Sequence, residues 1–377
     1  MSAERSILMN LIAIFLLRLV RLQCVLVCLW LAHGEAKGAE NQPWNTVPRE
    51  RRTNLLIYPN QRGGTATVRS VRDWNLRRND IVQQMQVVMG PWPAKARRVP
   101  VDLRVEVEFD RREYLLRAIT YVSEADTRVP AWLVIPKTAL AKGAKSPAVL
   151  CLHQTHAKGS KVVVGLGDSP NDEYAVELAK KGFVCIAPPY PLLADYQPDL
   201  KALGYKSGTM KAIWDNSRAL DVLDSLGFVR KGNYGVIGHS LGGHNGIFTA
   251  VFDQRLKVIV SSCGFDSFED YMNGNLKGWS QERYMPELAK YALPGLPFDF
   301  YEVIAALAPR KVFVNAPLHD SNFKWESVRK IETEARRIFE LYRKPANLQV
   351  VYPDCAHLFP PETRQEAFAI MERELKQ

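Results

Sequence analysis

The chain has 377 residues, 47% of them hydrophobic and 24% charged, with a formal net charge of +10. That length and balance fit one large globular domain or two modest ones and argue against a disordered chain. The basic excess is scattered over Arg5, Arg18, Arg21, Arg49, Arg51, Arg52, Arg77, Arg78, Arg97 and Arg98, with no stacking aromatics interleaved on one element. We read it as a solvated basic face and expect no nucleic-acid partner.

In chain order, residues 6–32 are apolar except for Ser6, Asn10, Arg18, Arg21 and Gln23. The two apolar runs, 7–17 and 22–32, are each shorter than the roughly 20 residues a membrane span needs. Followed by the small-residue stretch GEAKGAE, they predict a signal peptide over residues 1–38, with an uncleaved N-terminal anchor as the alternative. The protein is expected to be secreted or periplasmic, with membrane contact only through such an anchor. Residues 39–100 read as an N-terminal extension, irregular through Pro43, Pro48, Pro59 and Arg62-Gly63-Gly64. A helix follows over 73–89, capped by Asp73 and stopped at Gly90-Pro91. Residues 101–377 read as the catalytic domain. Three β-rich runs (VDLRVEVEF, YLLRAITYV, VPAWLVIP) open it. From residue 147 the rhythm becomes strand, loop, helix: PAVLCLH, FVCIAPP, YGVIGH, LKVIVSS, RKVFVNAP and LQVVYP alternate with helical stretches near 173–181, 211–226, from 241, 324–342 and 361–375. This predicts an α/β architecture, a doubly wound, mostly parallel sheet of eight strands with helices on both faces and an antiparallel start. An insertion of about 264–308 is rich in aromatics.

Four cysteines lie beyond residue 38. Cys151, Cys185 and Cys263 sit in apolar runs, so packed free thiols are expected rather than a disulfide scaffold. No CxxC or HExxH pattern occurs, and neither a metal nor a cofactor is expected. His153 and His156 alone are weak support for a metal pair.

The sharpest signal is Gly238-His239-Ser240-Leu241-Gly242, a G-x-S-x-G between an apolar strand and a helix. At such a corner the serine hydroxyl projects above the sheet, and glycines two residues either side let strand and helix pass closely. A serine needs a base to take its proton, and an acid to orient that base. His357 follows the last strand and Asp320 the strand before it, in the order Ser240, Asp320, His357. Asp354 is a rival acid on the same loop as His357. The oxyanion is expected to meet the backbone N–H of Leu241 and that of Gln154 or Thr155, in the loop after PAVLCLH.

The segments VPAWLVIP, LCLHQT, GFVCIAPPYP, IGHSLGG, NAPLHD and DCAH, across residues 100–377, resemble the dienelactone hydrolase and acetyl xylan esterase-like branch of the α/β-hydrolases, related to the prolyl-oligopeptidase catalytic domain. The resemblance implies a serine hydrolase of carboxylic esters, with Ser240, Asp320 and His357 as its triad. Two departures stand out: His153-Gln154 replaces a common His-Gly at the oxyanion loop, and a serine stands where dienelactone hydrolases have cysteine. The expected substrate is a small-molecule or glycan ester, with an acetyl or feruloyl group. Tyr190, His153, His239 and Trp279 are candidate pocket residues, and the insertion's other rings either line the site or pack the insertion down. A peptidase is less favoured, because residues 39–100 are too few for a gating propeller. A non-catalytic binding protein on the same scaffold is the third reading.

Overall fold

The apolar runs beyond residue 100 all become strands of one sheet in the computed structural model, which describes residues 49–59, 64–125 and 127–377. The expected leader or anchor over 1–38 lies outside the described residues. A short helix α1 (Arg49–Thr53) and a two-stranded antiparallel ribbon, β1 (Ile57–Pro59) with β2 (Thr65–Thr67), precede the long helix α2 (Val71–Met89). The main sheet holds β3 (Arg104–Asp110), β4 (Tyr114–Glu124), β5 (Thr127–Pro136), β6 (Ser146–Leu152), β7 (Val184–Ala187), β8 (Val229–His239), β9 (Leu256–Ser262), β10 (Lys311–Asn315) and β11 (Leu348–Val351). Between them run α3 (Tyr174–Lys180), α4 (Gly208–Ser225), α5 (Leu241–Phe252), α6 (Phe300–Ala305), α7 (Trp325–Leu341) and α8 (Pro361–Leu375).

Spatially the strands run β11-β10-β9-β8-β6-β7-β5-β4-β3, nine among the described residues rather than the expected eight. The edge strand β3 has all seven residues exposed. The six strands from β6 onward are parallel; β3, β4 and β5 are antiparallel, and β5 meets β7 antiparallel. β7 is buried along its whole length, which is why it reads as a continuous apolar run rather than an alternation. The chain passes from β6 to β7 on one side and then crosses back to β8 on the other, and at this reversal a crevice opens beyond the carboxyl ends of β6 and β8. α5 runs directly beneath that crevice and is buried from Leu241 to Val251.

Two sequence expectations need correction. Helix α2 begins at Val71, and its cap is Ser70 rather than Asp73: Ser70 Oγ accepts from Asp73 N at 3.2 Å, while Asp73 accepts from Ser70 Oγ and Arg69 N. The N-terminal arginines are also not uniformly solvated. Arg52 and Arg77 are buried, and Arg77 pairs with Asp80 and with the fully buried Glu302 on α6. Arg78 donates to Val251 O at 2.7 Å and Ala306 O at 3.0 Å. Arg98 donates to Ser217 Oγ at 2.6 Å. These side chains fasten the N-terminal segment to the sheet's helices. The apolar face of α2 completes the join, with Trp74, Ile81, Met85 and Val88 in one cluster with Ile119, Leu150 and Val236.

Candidate active site

Ser240 stands between the last residue of β8 and the first of α5, with φ 53° and ψ −118°. A non-glycine residue there carries strain of order 1–3 kcal/mol, which the surroundings must over-determine. They do so through Ser240 N to Ser262 O and Gly243 N to Ser240 O, both 2.8 Å. The flanking glycines have the expected reason. A Cβ on Gly238 would stand 2.2 Å from Gly242 O, and one on Gly242 would stand 2.0 Å from Leu152 O. Leu241 opens α5, so its N–H belongs to the first turn, where amides have no intrahelical acceptor and the helix dipole favours negative charge.

Asp320 and His357 are brought together by backbone. The β10–β11 pairing continues past the strand ends as Ala316 N to Val351 O (2.9 Å), Leu318 N to Pro353 O (3.0 Å) and His319 N to Cys355 O (3.0 Å). The two loops are thereby zipped, and His357 Nδ1 lies 2.9 Å from both Asp320 oxygens. Burial raises the Asp320 carboxyl. The His357 hydrogen bond and the amides of Asn322 and Phe323 outweigh that, and hold it below the usual carboxylate range. With Nδ1 so engaged, Nε2 is the nitrogen left to act. The rival Asp354 is exposed and pairs with His319 at 2.7 Å. The His357 ring lies 4.9 Å from that of His239, the residue before Ser240.

Behind this couple sits Asn315, fully buried, which the sequence reading did not single out. Its Nδ2 donates to Leu358 O and to Ser262 Oγ, both at 2.8 Å, tying the histidine loop to β9. Cys263, just past the end of β9 rather than within it, lies beside Asp320 and His357. Burial pushes its thiol well up.

A cavity of about 170 Å³ opens at Ser240 and is lined by Thr155, Leu241, His244, Tyr271, Gly278, Trp279, Tyr284, Asn322 and Phe323. Of the candidate pocket residues, Trp279 faces it and the others stand behind it. His153 is buried: its Nε2 accepts from Tyr190 N at 3.0 Å, and Nδ1 meets Gln154 O at 2.7 Å. Burial lowers its pKa to about 4, so it braces the loop after β6 as a neutral ring. His156 Nδ1 accepts from Lys158 N, so the two histidines serve separate backbone partners. Tyr190 packs behind Leu241 and Tyr284, its hydroxyl on Thr209. His239 is bonded to Ser262 Oγ at 3.0 Å, and burial lowers its pKa to about 3. Of the two residues offered for the second donor, Thr155 lines the cavity and Gln154 does not. His244 was missed although its spacing was readable: four residues after Ser240, it lies one turn along the same helix face. The insertion's rings divide between both expected roles. Phe265, Phe268 and Phe298 are core, whereas Tyr271, Trp279 and Tyr284 line the cavity. A second cavity of about 180 Å³, over β4 and β5, holds none of the candidate residues.

The strand order, the crossover helices and the serine at the strand–helix corner define the α/β-hydrolase fold. No family model matches the sequence. It is 26% identical over 304 residues to the protein named "Putative hydrolase YtaP" of Bacillus subtilis (strain 168), covering 77% of this chain and 97% of that one. Among solved structures it is similar to a glucuronoyl esterase from Solibacter usitatus, with a TM-score of 0.65 and 16% identity over 85% of this chain and 97% of that one. A glucuronoyl esterase of carbohydrate esterase family 15 from Caldicellulosiruptor kristjansonii matches with a TM-score of 0.64 and 18% identity, over 88% and 91%. A structure described as a "putative acetyl xylan esterase" from Bacteroides fragilis NCTC 9343 matches with a TM-score of 0.57 and 19% identity, over 85% and 81%.

Proposed function

We propose that this protein is a serine hydrolase that cleaves carboxylic esters of carbohydrates through an acyl-enzyme. The observation that carries the reading is the Asp320–His357 couple, held between the zipped loops after β10 and β11 with the His357 ring 4.9 Å from that of His239, the residue before Ser240 at its strained corner. Ser240 Oγ attacks the ester carbonyl while His357 Nε2 takes its proton, and Asp320 orients and stabilises the imidazolium. The N–H of Leu241, with that of Thr155 or Gln154, receives the developing oxyanion; one such donor is worth about 10²–10³ in rate. Collapse expels the alcohol with the proton from His357. Water, activated by the same nitrogen, then frees the acid. The esterases among the structural neighbours support a carbohydrate ester as substrate, with an acetyl or feruloyl acyl group as the finer reading. Export of the enzyme rests on the apolar segment 6–32 alone.

The test compares wild type and Ser240→Ala with a fluorophosphonate probe and with p-nitrophenyl acetate. Labelling and hydrolysis in the wild type, both lost in the variant with rates down by about 10³-fold or more, are expected. A folded wild type that neither labels nor hydrolyses would sink the assignment.

A further inference from the structure

Two buried polar atoms of residues lining the cavity at Ser240 have no partner among the described residues. His244 directs Nδ1 to Gly264 O at 3.2 Å, so that nitrogen carries the proton and Nε2 presents a lone pair. Burial lowers the ring's pKa to about 3, which keeps it neutral through ordinary pH. Trp279 is 3% exposed, and its Nε1–H meets no acceptor among the described residues. The two rings meet edge to face, 4.7 Å between centroids. A buried donor or acceptor left unmade costs about 1–3 kcal/mol, and here one of each stands on neighbouring rings of the same cavity. The rest of the wall adds aromatic surface from Tyr271, Tyr284 and Phe323, and no charged side chain among the described residues lines the cavity.

We propose that His244 and Trp279 form a hydroxyl anchor: one substrate hydroxyl donates to His244 Nε2 and accepts from Trp279 Nε1, selecting esters of a neutral, hydroxylated ring such as a pyranose. A hydroxyl is the smallest group that satisfies both atoms at once. An ionised group has no counter-charge in this wall, and a purely apolar ring leaves both atoms unmade. The aromatic surfaces suit the C–H faces of a sugar. This inference rests on Ser240 being the nucleophile of the same cavity.

The test uses two matched pairs of esters: an acetylated methyl xylopyranoside against acetylated tetrahydropyranol, and methyl glucuronate against methyl tetrahydropyran-2-carboxylate. The wild type should favour the hydroxylated member of at least one pair by about 10²-fold or more in kcat/KM. His244→Phe and Trp279→Phe should each bring that ratio to within about threefold of unity, every variant being referred to its own rate on the unhydroxylated ester. Ratios near unity in the wild type for both pairs, or a preference that survives both substitutions, would overturn the anchor. Fluorophosphonate labelling separates the two readings: an unlabelled wild type sinks the serine mechanism, whereas a labelled wild type without discrimination sinks the anchor alone. If labelled enzyme turns over none of these esters, methyl xylopyranoside should slow its labelling where tetrahydropyran does not. Equal effects would count against the anchor.

Discussion

His244 links the site to the stability of the protein. In the folded chain its pKa lies near 3, against a reference of 6.5, because burial opposes the charged form. Between these values the unfolded chain binds a proton that the folded one does not. The stabilisation is therefore complete above pH 6.5 and drains away as pH falls toward 3. From pH 7.5 to pH 5 this single ring should remove about 2 kcal/mol, at 1.36 kcal/mol per pH unit below 6.5. Other buried groups titrate in the same range, and Asp266, raised by burial to about 8, acts in the opposite sense. The clean measurement is thus a difference between proteins. Urea unfolding of wild type and His244→Phe at both pH values should show the gap moving toward the variant by about that amount. A gap independent of pH would mean that His244 titrates normally. Asn315 acts through its neighbours. Asn315→Leu removes its bonds to Leu358 O, Ser262 Oγ and, more weakly, Cys263 Sγ, and should lower kcat by about 10- to 100-fold through a misplaced His357. Steady-state kinetics on p-nitrophenyl acetate check it, with KM expected to move little.

At the scale of elements, the corner between β8 and α5 was the most legible part of the chain, because close approach of backbone leaves no residue but glycine at its flanks. Gly242→Ala would drive a methyl against Leu152 O at 2.0 Å, a backbone atom of the central strand β6 that cannot step aside. A loss of more than about 3 kcal/mol is expected. Gly227→Ala, where nothing lies within 4 Å of the new methyl, serves as the control, and thermal unfolding of the two variants decides the point. The parallel strands were legible for a related reason, since burial on both faces writes them as unbroken apolar runs. β3 was legible from its alternation in VDLRVEVEF even though its seven residues are all exposed. The zipping of the Asp320 and His357 loops was not legible at all, being made of backbone amides that any residue supplies. Nor could side-chain type separate His153 and Tyr190, spent on bracing, from Trp279 and His244, which face the cavity. An imidazole or an indole has the same letter in either place, and only the partner of its nitrogen tells them apart.

For the whole molecule, the question is whether the hydrolase sheet stands without residues 49–100. The sequence suggests a boundary near 100, where an irregular, helix-bearing extension gives way to strands. The core does not respect that line. Trp74, Ile81, Met85, Val88 and Met89 of α2 are all completely buried and cluster with residues of β4, β6 and β8. At about 1.5–3 kcal/mol for each fully buried side chain, five of them contribute on the order of 10 kcal/mol as an upper figure. The entire stability of a domain is about 5–15 kcal/mol. Removing α2 also leaves Glu302 without Arg77, in a site where both are fully buried. Stranding one partner of such a pair costs a further 3–5 kcal/mol or so, offset in part by protonation of the carboxyl, which burial already raises. Both terms have the same sign and together exceed what the remaining sheet can hold in reserve. A chain of residues 101–377 should therefore be insoluble or lack a cooperative unfolding transition, while residues 49–377 retain both solubility and cooperativity. Expression of the two chains, followed by circular dichroism on heating, makes the comparison. A shorter chain that unfolds cooperatively and still reacts with a fluorophosphonate would show that α2 is an accessory, and that the arginine staples hold down a segment the core does not need.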